Sequence, residues 1–202
     1  MNFVYLKGII KNIRYSHTID DTIFNRADLI VKKPDGRENI LIIKFKQFSV
    51  DLKENTEVEL VGNIRSYSQT IDGKHKVEIY VFTYFDTVEV EMGDITNAIK
   101  LKGKVCKKDD MRTTSRGKHY IHFIIANNLE IENHQRLNSY IPCVAWGKLA
   151  KQIESTINVG DDIFVDGQLQ SREYKKKTAD DLEIRIAHEI LVNTIDEVTN
   201  AL

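Results

Sequence analysis

Two stretches in the second half of the chain combine positive charge with groups that can approach a polyanion. Between Lys100 and Lys118 eight cations stand against two carboxylates, a local net charge of +6, and a second basic cluster surrounds Tyr174. Cations pair with phosphates and an exposed ring stacks on a base, so both stretches predict contacts to a single-stranded nucleic acid. The alternative is a pair of solvated loops whose charge serves solubility. The cations that we expect to bind are Lys102, Lys104, Arg112, Arg116, Lys118, Arg172, Lys175, Lys176 and Lys177.

The first half carries a thinner set of cations. Lys7 and Arg14 lie along its first predicted strand, where we expect them to contact nucleic acid. The set also includes Lys11, Arg26, Lys32, Lys33, Lys44 and Lys46. About half of the whole set is expected to be ordinary solvated surface.

The last predicted strand of the first half is apolar on both faces. Val77, Ile79 and Val81 alternate there with Tyr80, Phe82 and Tyr84. One face then fills the core, and the three aromatic residues are a candidate interface with the second half or with another chain, since a bare apolar row marks an interaction site. A base-stacking platform and packing inside the same domain are the alternatives.

Motifs of catalysis are missing from the sequence. There is no Gly-x-x-x-x-Gly-Lys-Ser loop, no dinucleotide fingerprint and no Gly-x-Ser-x-Gly turn. The six histidines are scattered, and His119 and His122 stand three apart on a predicted strand, which argues against a shared metal ion. Paired carboxylates such as Asp161 and Asp162 fall in predicted turns. We therefore expect a protein that is not an enzyme and that needs no cofactor or metal.

The composition limits where a nucleic-acid site can lie. The 202 residues contain 29 Lys and Arg against 30 Asp and Glu, a net charge of -1, so the site has to be a local one. With 42% apolar residues the chain can bury a core, and two cysteines allow at most one disulfide. No apolar run is long enough to span a membrane. We expect a soluble cytoplasmic protein associated with the nucleoid.

An internal repeat predicts two domains. Three pairs of segments carry it: Leu6-Lys7-Gly8 with Leu101-Lys102-Gly103, Ile43-Lys44-Phe45 with Val144-Ala145-Trp146, and Val61-Gly62 with Asp166-Gly167. The offset grows along the chain from 95 to 101 to 105 residues, as insertions in loops produce. The predicted boundary lies near Glu91 to Ile95, which gives an N-terminal domain of residues 1–92 and a C-terminal domain of residues 93–202.

Both halves have the patterning of β-strands. In the second half apolar residues alternate with polar ones in five segments, and Leu149, Ile153 and Ile157 form one helical stripe between the third and fourth of them. The first half follows the same order, with a brief helical segment from Gln47 to Lys53. This order predicts an all-β protein of two tandem five-stranded OB-fold barrels, each with a short helix between strands 3 and 4.

The segment from Tyr140 to Arg172 resembles the bacterial single-stranded DNA-binding protein family. It contains an aromatic-Gly-Lys-Leu-Ala sequence at Trp146 and a Val-Asp-Gly-x-Leu strand that ends at Leu169. In the first half the resemblance is limited to the topology, Leu6-Lys7-Gly8 and the segment from Glu59 to Arg65. Tandem members of the family form dimers with four OB-folds, so the resemblance implies a homodimer.

The resemblance also implies which rings stack on bases. Tyr140, Trp146 and Tyr174 fall on aromatic positions of the family. In the first half Phe45 stands in place of the tryptophan and Tyr67 lies near the counterpart of Tyr174, whereas Asn39 falls where Tyr140 would be. We therefore include Phe45 and Tyr67 as candidates and expect weaker DNA contact there. Core or interface packing is the alternative for Trp146.

The combined expectation is sequence-tolerant binding and protection of single-stranded DNA in replication, recombination or repair. The alternatives are an OB-fold adaptor that binds replication or recombination proteins and a binder of single-stranded RNA. Bacterial members of the resembled family usually carry an acidic-tipped tail that recruits enzymes, whereas this sequence stops about ten residues after its last predicted strand. The expectation is binding without that route, or recruitment through a barrel surface.

Overall fold

The computed structural model is mostly β-structure with one short helix among the residues that it describes. These are residues 1–47, 52–71, 74–84, 92–130, 136–177 and 182–197, with only the backbone described at 71, 74–75, 84, 175–177, 182–183 and 197. The elements are β1 (Asn2–Ile19), β2 (Thr22–Lys32), β3 (Glu38–Lys46), β4 (Glu57–Ile71), β5 (Lys74–Tyr84), β6 (Asn97–Lys108), β7 (Arg112–Thr113), β8 (His119–Glu130), β9 (Arg136–Trp146), α1 (Lys148–Thr156), β10 (Asp162–Lys177) and β11 (Leu182–Glu197). Within these ranges no helix is long and apolar enough to cross a membrane.

The strands of the described residues form one eleven-stranded sheet with two closed circuits of pairing. In the first half the circuit runs β1–β2–β3–β5–β4 and returns to β1, and in the second half it runs β6–β8–β9–β11–β10 and returns to β6. One pair in each circuit is parallel, β3 with β5 and β9 with β11. Because β1 also pairs with β6, the halves share one sheet, and the domain boundary at residues 92 and 93 stays a prediction.

Alternation along β6 shows how the sequence produces these strands. Ile99, Leu101 and Val105 are buried and Lys100 and Lys102 are exposed, as their period of two predicts. Gly103 lies so close to the neighbouring strand that an added side chain would strike the carbonyl of Ala126. Gly8 of β1 meets the carbonyl of Ile30 in the same way, which accounts for the Lys-Gly pair in both copies of the repeat.

Two buried asparagines lie at equivalent places in the halves. The side chain of Asn2 donates to the carbonyl of Ile64 at 2.8 Å and accepts from its amide at 2.9 Å. Asn97 binds Leu169 in the same two ways, at 2.7 and 2.9 Å. These paired bonds satisfy backbone groups that would otherwise be buried without partners. The same pair of bonds therefore ties β1 to β4 within the first half and β6 to β10 within the second half.

Strands β3 and β9, the third strands of the two repeats, correspond with an offset of 100 residues. In the parallel pairs Ile43 lies opposite Val81, and Cys143 lies opposite Ile190. Our predicted offset of 101, which aligned Phe45 with Trp146, is therefore wrong by one residue. Since side chains alternate between the faces of a strand, a slip of one residue exchanges the core face and the outer face.

The predicted helical stripe forms helix α1. Its stripe residues Ile153 and Ile157 are buried, and Gly147 before it and Gly160 after it have positive φ angles of 63° and 104°. Lys108, one of the eight cations between Lys100 and Lys118, donates from Nζ to the carbonyl of Ile157 at 2.7 Å and to two further carbonyls of the last turn. It therefore caps the helix. The predicted helix of the first half falls largely on residues 48–51, which lie outside the described residues.

Candidate nucleic-acid interface

An aromatic cluster lies on the outer face of β8 and β9. Tyr120 pairs with Trp146 across the two strands, and their ring centroids are 5.0 Å apart. His122 lies edge-on to Tyr120 at 5.4 Å. The ammonium group of Lys118 is 5.0 Å from the centroid of the Trp146 ring, which is cation–π distance. Trp146 is only partly buried, so a planar ligand can reach it.

A chain of polar contacts leads from this cluster to a second ring. Nε2 of His122 is 3.7 Å from the carboxylate of Glu189, which is only 5% exposed. The same carboxylate accepts hydrogen bonds from Gln170 at 3.0 Å and from Nε of Arg172 at 3.2 Å. The guanidinium carbon of Arg172 lies 5.9 Å from the centroid of Tyr174. Glu189 thus holds Arg172 beside an exposed ring.

A groove of about 860 Å³ runs between the halves and contains Trp146 in its wall. Both halves contribute residues to its wall: Lys33, Arg37, Glu38, Ile40, Lys118, Trp146, Leu149, Gln170, Ser171, Arg172, Glu173, Ile186, Leu191, Val192 and Asn193. Four of these are cations and two are carboxylates. The groove therefore combines positive charge, an aromatic ring and aliphatic surface.

Hydrogen bonds fix the two halves against each other beside the groove. The amide of Ile40 donates to the hydroxyl of Ser171 at 2.9 Å, and the amide of Ser171 donates to the side chain of Asn39 at 2.9 Å. A ring nitrogen of His188 is 2.8 Å from the carbonyl of Ile40. Burial lowers the pKa of His188, and this hydrogen bond and the nearby carboxylates oppose the shift only in part.

The comparison with known proteins decides the family. Residues 96–198 match the single-strand binding protein family. The chain belongs to that family. The resemblance in the sequence is thereby confirmed, and the family is one of non-enzymatic binding proteins. Among the described residues, no group of three or more His, Cys, Asp or Glu side chains is placed to hold a metal ion.

Similar proteins of the family come from several bacteria. The chain is 35% identical over 81 residues to the single-stranded DNA-binding protein of Bacillus cereus, covering 39% of this chain and 48% of that protein. It is 33% identical over 81 residues to single-stranded DNA-binding protein 2 of Listeria innocua, covering 39% and 51%. The chain spans about half the length of the curated relatives that it matches.

A solved structure of similar fold covers the whole chain. The crystal structure of the wild-type single-stranded DNA-binding protein from Thermus aquaticus superimposes with a TM-score of 0.74 at 18% identity, over 100% of this chain and 95% of that one. The first half, which lies outside the family match, therefore belongs to the same overall fold.

The three tyrosines predicted to stack are all accessible in this member of the family. Tyr140 is 54% exposed, Tyr67 is 53% exposed and Tyr174 is 37% exposed. Tyr140 lies where β9 meets β4, because its amide donates to the hydroxyl of Ser66 at 2.8 Å. Their roles in binding stay predictions.

The predicted cations fall into two groups. Lys102, Arg112, Arg116 and Lys118 are exposed, and the described part of the chain places no carboxylate within ion-pair distance of them. The others are engaged: Lys7 with Glu59 at 2.8 Å, Lys104 with Asp162 at 3.0 Å, Arg14 with Asp28 at 3.3 Å and Arg172 with Glu189 at 3.2 Å. The side chains of Lys175, Lys176 and Lys177 lie outside the described residues, although their backbone extends β10.

Phe45 is not available to a base. It is 2% exposed and belongs to the core, because the one-residue difference in offset turns it inward. The true counterpart of Trp146 is Lys46, and its cross-strand neighbour Phe24 matches Tyr120. Phe45 is therefore wrong as a binding residue.

The aromatic row on β5 packs mostly within its own half. Phe82 is 7% exposed, with its centroid 6.0 Å from that of Phe24 and 4.1 Å from the guanidinium of Arg65. For Phe82 the predicted interface is thus wrong, and packing inside the domain is correct. Nζ of Lys44 lies 4.1 Å from the ring centroid of Tyr80, which keeps part of its surface accessible. The side chain of Tyr84 lies outside the described residues.

Sequence reasoning missed several residues of this interface. Tyr120 and Glu189 complete the aromatic and polar contacts, and Arg37 brings the first half to the groove together with Lys33, which the sequence placed only in the thinner cation set. The alternation of Tyr120 and His122 along β8 was a usable signal for an outer face. No local signal identifies Lys33 and Arg37, because their place depends on contacts between residues more than 100 positions apart.

Proposed function

We propose that this protein binds and protects single-stranded DNA with little sequence preference. Bases stack on Trp146 and on exposed tyrosines, and phosphates pair with neighbouring cations. The observation that carries the proposal is the arrangement of Lys118 and Tyr120, each 5.0 Å from the Trp146 ring at the side of an open groove. The remaining members of the proposed site are Lys102, Arg112, Arg116, Tyr140, Arg172, Tyr174, Lys175, Lys176 and Lys177.

Stacking and phosphate pairing together explain a lack of sequence preference. Every base has a π-face, so a ring contributes about 1–3 kcal/mol per stacked base whatever the base is. Cations beside the ring then follow the backbone, which is the same in every sequence. Such binding suits a protein that protects exposed strands during DNA replication, recombination or repair.

We assign the two halves unequal parts in binding. The two closed circuits of pairing support two five-stranded OB barrels. On the first half Lys44 and Arg26 pair with Glu78 at 2.6 and 2.9 Å, so their charge is already matched. Tyr67 remains exposed and is its candidate for stacking. Direct contact with DNA is therefore stronger on the second half.

Titration with a single-stranded oligonucleotide tests the proposal. Trp146 is the sole tryptophan, so quenching of its fluorescence by oligothymidylate reports on this site alone. We expect quenching at low salt and a Kd that rises steeply with salt, because bound phosphates release counterions. An oligouridylate of equal length measures the preference for DNA over RNA. Absence of both quenching and binding at low salt would show that the proposal is wrong.

We further propose that the protein forms a homodimer with four barrels. Exposed apolar side chains support an interface between chains, with Val77 at 58% and Ile184 at 64% exposure. Sedimentation equilibrium should then give twice the chain mass of 23.3 kDa. A single-chain mass at micromolar concentration would contradict this proposal without affecting the one on DNA binding.

A further inference from the structure

We propose that the turn between β2 and β3 of the first half completes the single-strand site of the second half. Lys33 is the phosphate ligand on this turn. Arg37 is a second phosphate ligand, which forms an ion pair with Asp35 in the absence of DNA. The inference rests on the proposed function, because it adds residues from the other half to the same groove.

The first observation is the composition of the groove. Lys33 and Arg37 line it together with Lys118, Trp146 and Arg172, so cations of both halves face one space. A strand whose base stacks on Trp146 carries its phosphates through this space. It therefore passes between Lys118 on one side and the turn of the first half on the other.

The second observation is that the position of the turn is built by hydrogen bonds. Within it the amide of Lys33 donates to the carbonyl of Arg37 at 2.7 Å, and Gly36 closes the turn with a φ of +83°. At its base, Ile40 and Asn39 are bound to Ser171 of β10 at 2.9 Å each. The groove and the turn are thus held in register by the same strand that carries Arg172.

The third observation is the state of the charges. Within the described ranges no carboxylate lies within ion-pair distance of Lys33, whereas Lys7, Arg14 and Lys44 are each paired with one. Lys33 can therefore neutralise a phosphate without first breaking an ion pair.

Arg37 differs from Lys33 because Asp35 already binds it. Nε of Arg37 donates to Asp35 at 2.8 Å, and the side chains of the pair are 76% and 48% exposed. The hydrogen bonds from Arg37 lower the pKa of Asp35, so the carboxylate stays charged at neutral pH. An exposed ion pair of this kind contributes little to stability, so a phosphate can replace the carboxylate as the partner of Arg37. Asp35 thus lowers the affinity for DNA, because it competes with a phosphate for Arg37.

Three variants test the proposal against oligothymidylate binding measured by Trp146 quenching over a range of salt concentrations. Lys33→Ala should weaken binding several-fold at low salt and flatten the slope of log K against log salt by about 0.7, the value for one phosphate contact on a single strand. Asp35→Asn should strengthen binding at low salt, because it frees Arg37 and removes a negative charge. Lys32→Ala is the matched control, since Lys32 is exposed but does not line the groove.

The outcomes separate this proposal from the function on which it rests. If Lys33→Ala binds like Lys32→Ala while the oligonucleotide still quenches Trp146, the role of the turn is overturned and the proposed function stands. The role is also overturned if Asp35→Asn binds no more tightly than the unaltered protein. If the unaltered protein shows neither quenching nor binding, both proposals fall.

Discussion

Val4 and Ile99 lie opposite each other at the centre of the β1–β6 pairing, and they are the same position of the two halves, 95 residues apart. The same offset relates the two neighbouring pairs, Phe3 with Lys100 and Tyr5 with Ala98, because Ala98 is the counterpart of Phe3 and Lys100 is the counterpart of Tyr5. An antiparallel pair of equivalent strands has a local twofold axis at its midpoint. The repeat in the sequence is therefore also a symmetry of the structure.

Asn97→Ala should lower the free energy of unfolding by about 1–3 kcal/mol, because it leaves the buried amide and carbonyl of Leu169 without their partner. Urea unfolding measures the change. Asn128→Ala replaces an exposed asparagine on β8 and should stay within about 0.5 kcal/mol of the unaltered protein. Equal effects of the two changes would contradict the role of the reciprocal bonds.

Lys108→Met should destabilise the protein by about 1 kcal/mol and leave oligonucleotide affinity unchanged. The substitution removes an ammonium that caps the last turn of α1 but keeps an apolar stem of similar length. Thermal or urea unfolding gives the first quantity and Trp146 titration the second. Lys107→Met, which removes only an exposed pair with Asp109, serves as the control for stability. A loss of affinity in Lys108→Met would instead place this lysine in the binding site.

Glu78→Gln should lower stability by about 1–3 kcal/mol at pH 7, because it removes the charged acceptor of Lys44 and Arg26. Burial raises the pKa of Glu78, but the hydrogen bond and charge of Lys44 and the charge of Arg26 outweigh burial and leave it below the ordinary 4.5. A carboxylate whose pKa is lower in the folded state than in the unfolded state stabilises the fold at any pH above the unfolded-state pKa. That stabilisation is lost as the pH falls through the folded-state pKa.

The difference between Glu78→Gln and the unaltered protein should therefore be largest near neutral pH and shrink below about pH 4.5. Urea unfolding at pH 7 and at pH 4 measures it. Glu154→Gln, on the exposed side of α1, should change stability by less than about 0.5 kcal/mol at either pH. A difference for Glu78→Gln that stays constant with pH would show that its charge is not what stabilises the fold.

Trp146→Ala and Phe45→Leu should separate binding from packing. Trp146→Ala should cost about 1–3 kcal/mol of affinity for a labelled oligothymidylate, measured by fluorescence anisotropy, while Trp146→Phe keeps a ring and most of the affinity. Phe45→Leu should cost about 1 kcal/mol of stability and none of the affinity, because its ring lies in the core. If Phe45→Leu weakened binding and Trp146→Ala lowered only stability, the predicted alignment of Phe45 with Trp146 would be correct after all.

Many residues of the candidate site could be predicted from the sequence. Exposed tyrosines stand at 140 and 174, and the cations at 112, 116 and 118 have no carboxylate within ion-pair distance among the described residues. The family resemblance and the charge count had picked out these five positions, and their part in binding stays a prediction. Lys104 and Lys108 were counted in the same basic stretch, yet one pairs with Asp162 and the other caps a helix. A charge count cannot separate these cases, because the partners are more than 40 residues away along the chain.

By itself the sequence determined the period-two strands, the helix after Trp146, the duplication and the family, because each depends on residues that are near neighbours or on a motif read in order. Tertiary structure alone decided that Phe45 faces the core, since a single residue of register separates the two faces of a strand. It also decided that the turn carrying Lys33 lines the same groove as Trp146 of the other half. That relation arises from hydrogen bonds between residues about 130 positions apart, which no local pattern encodes.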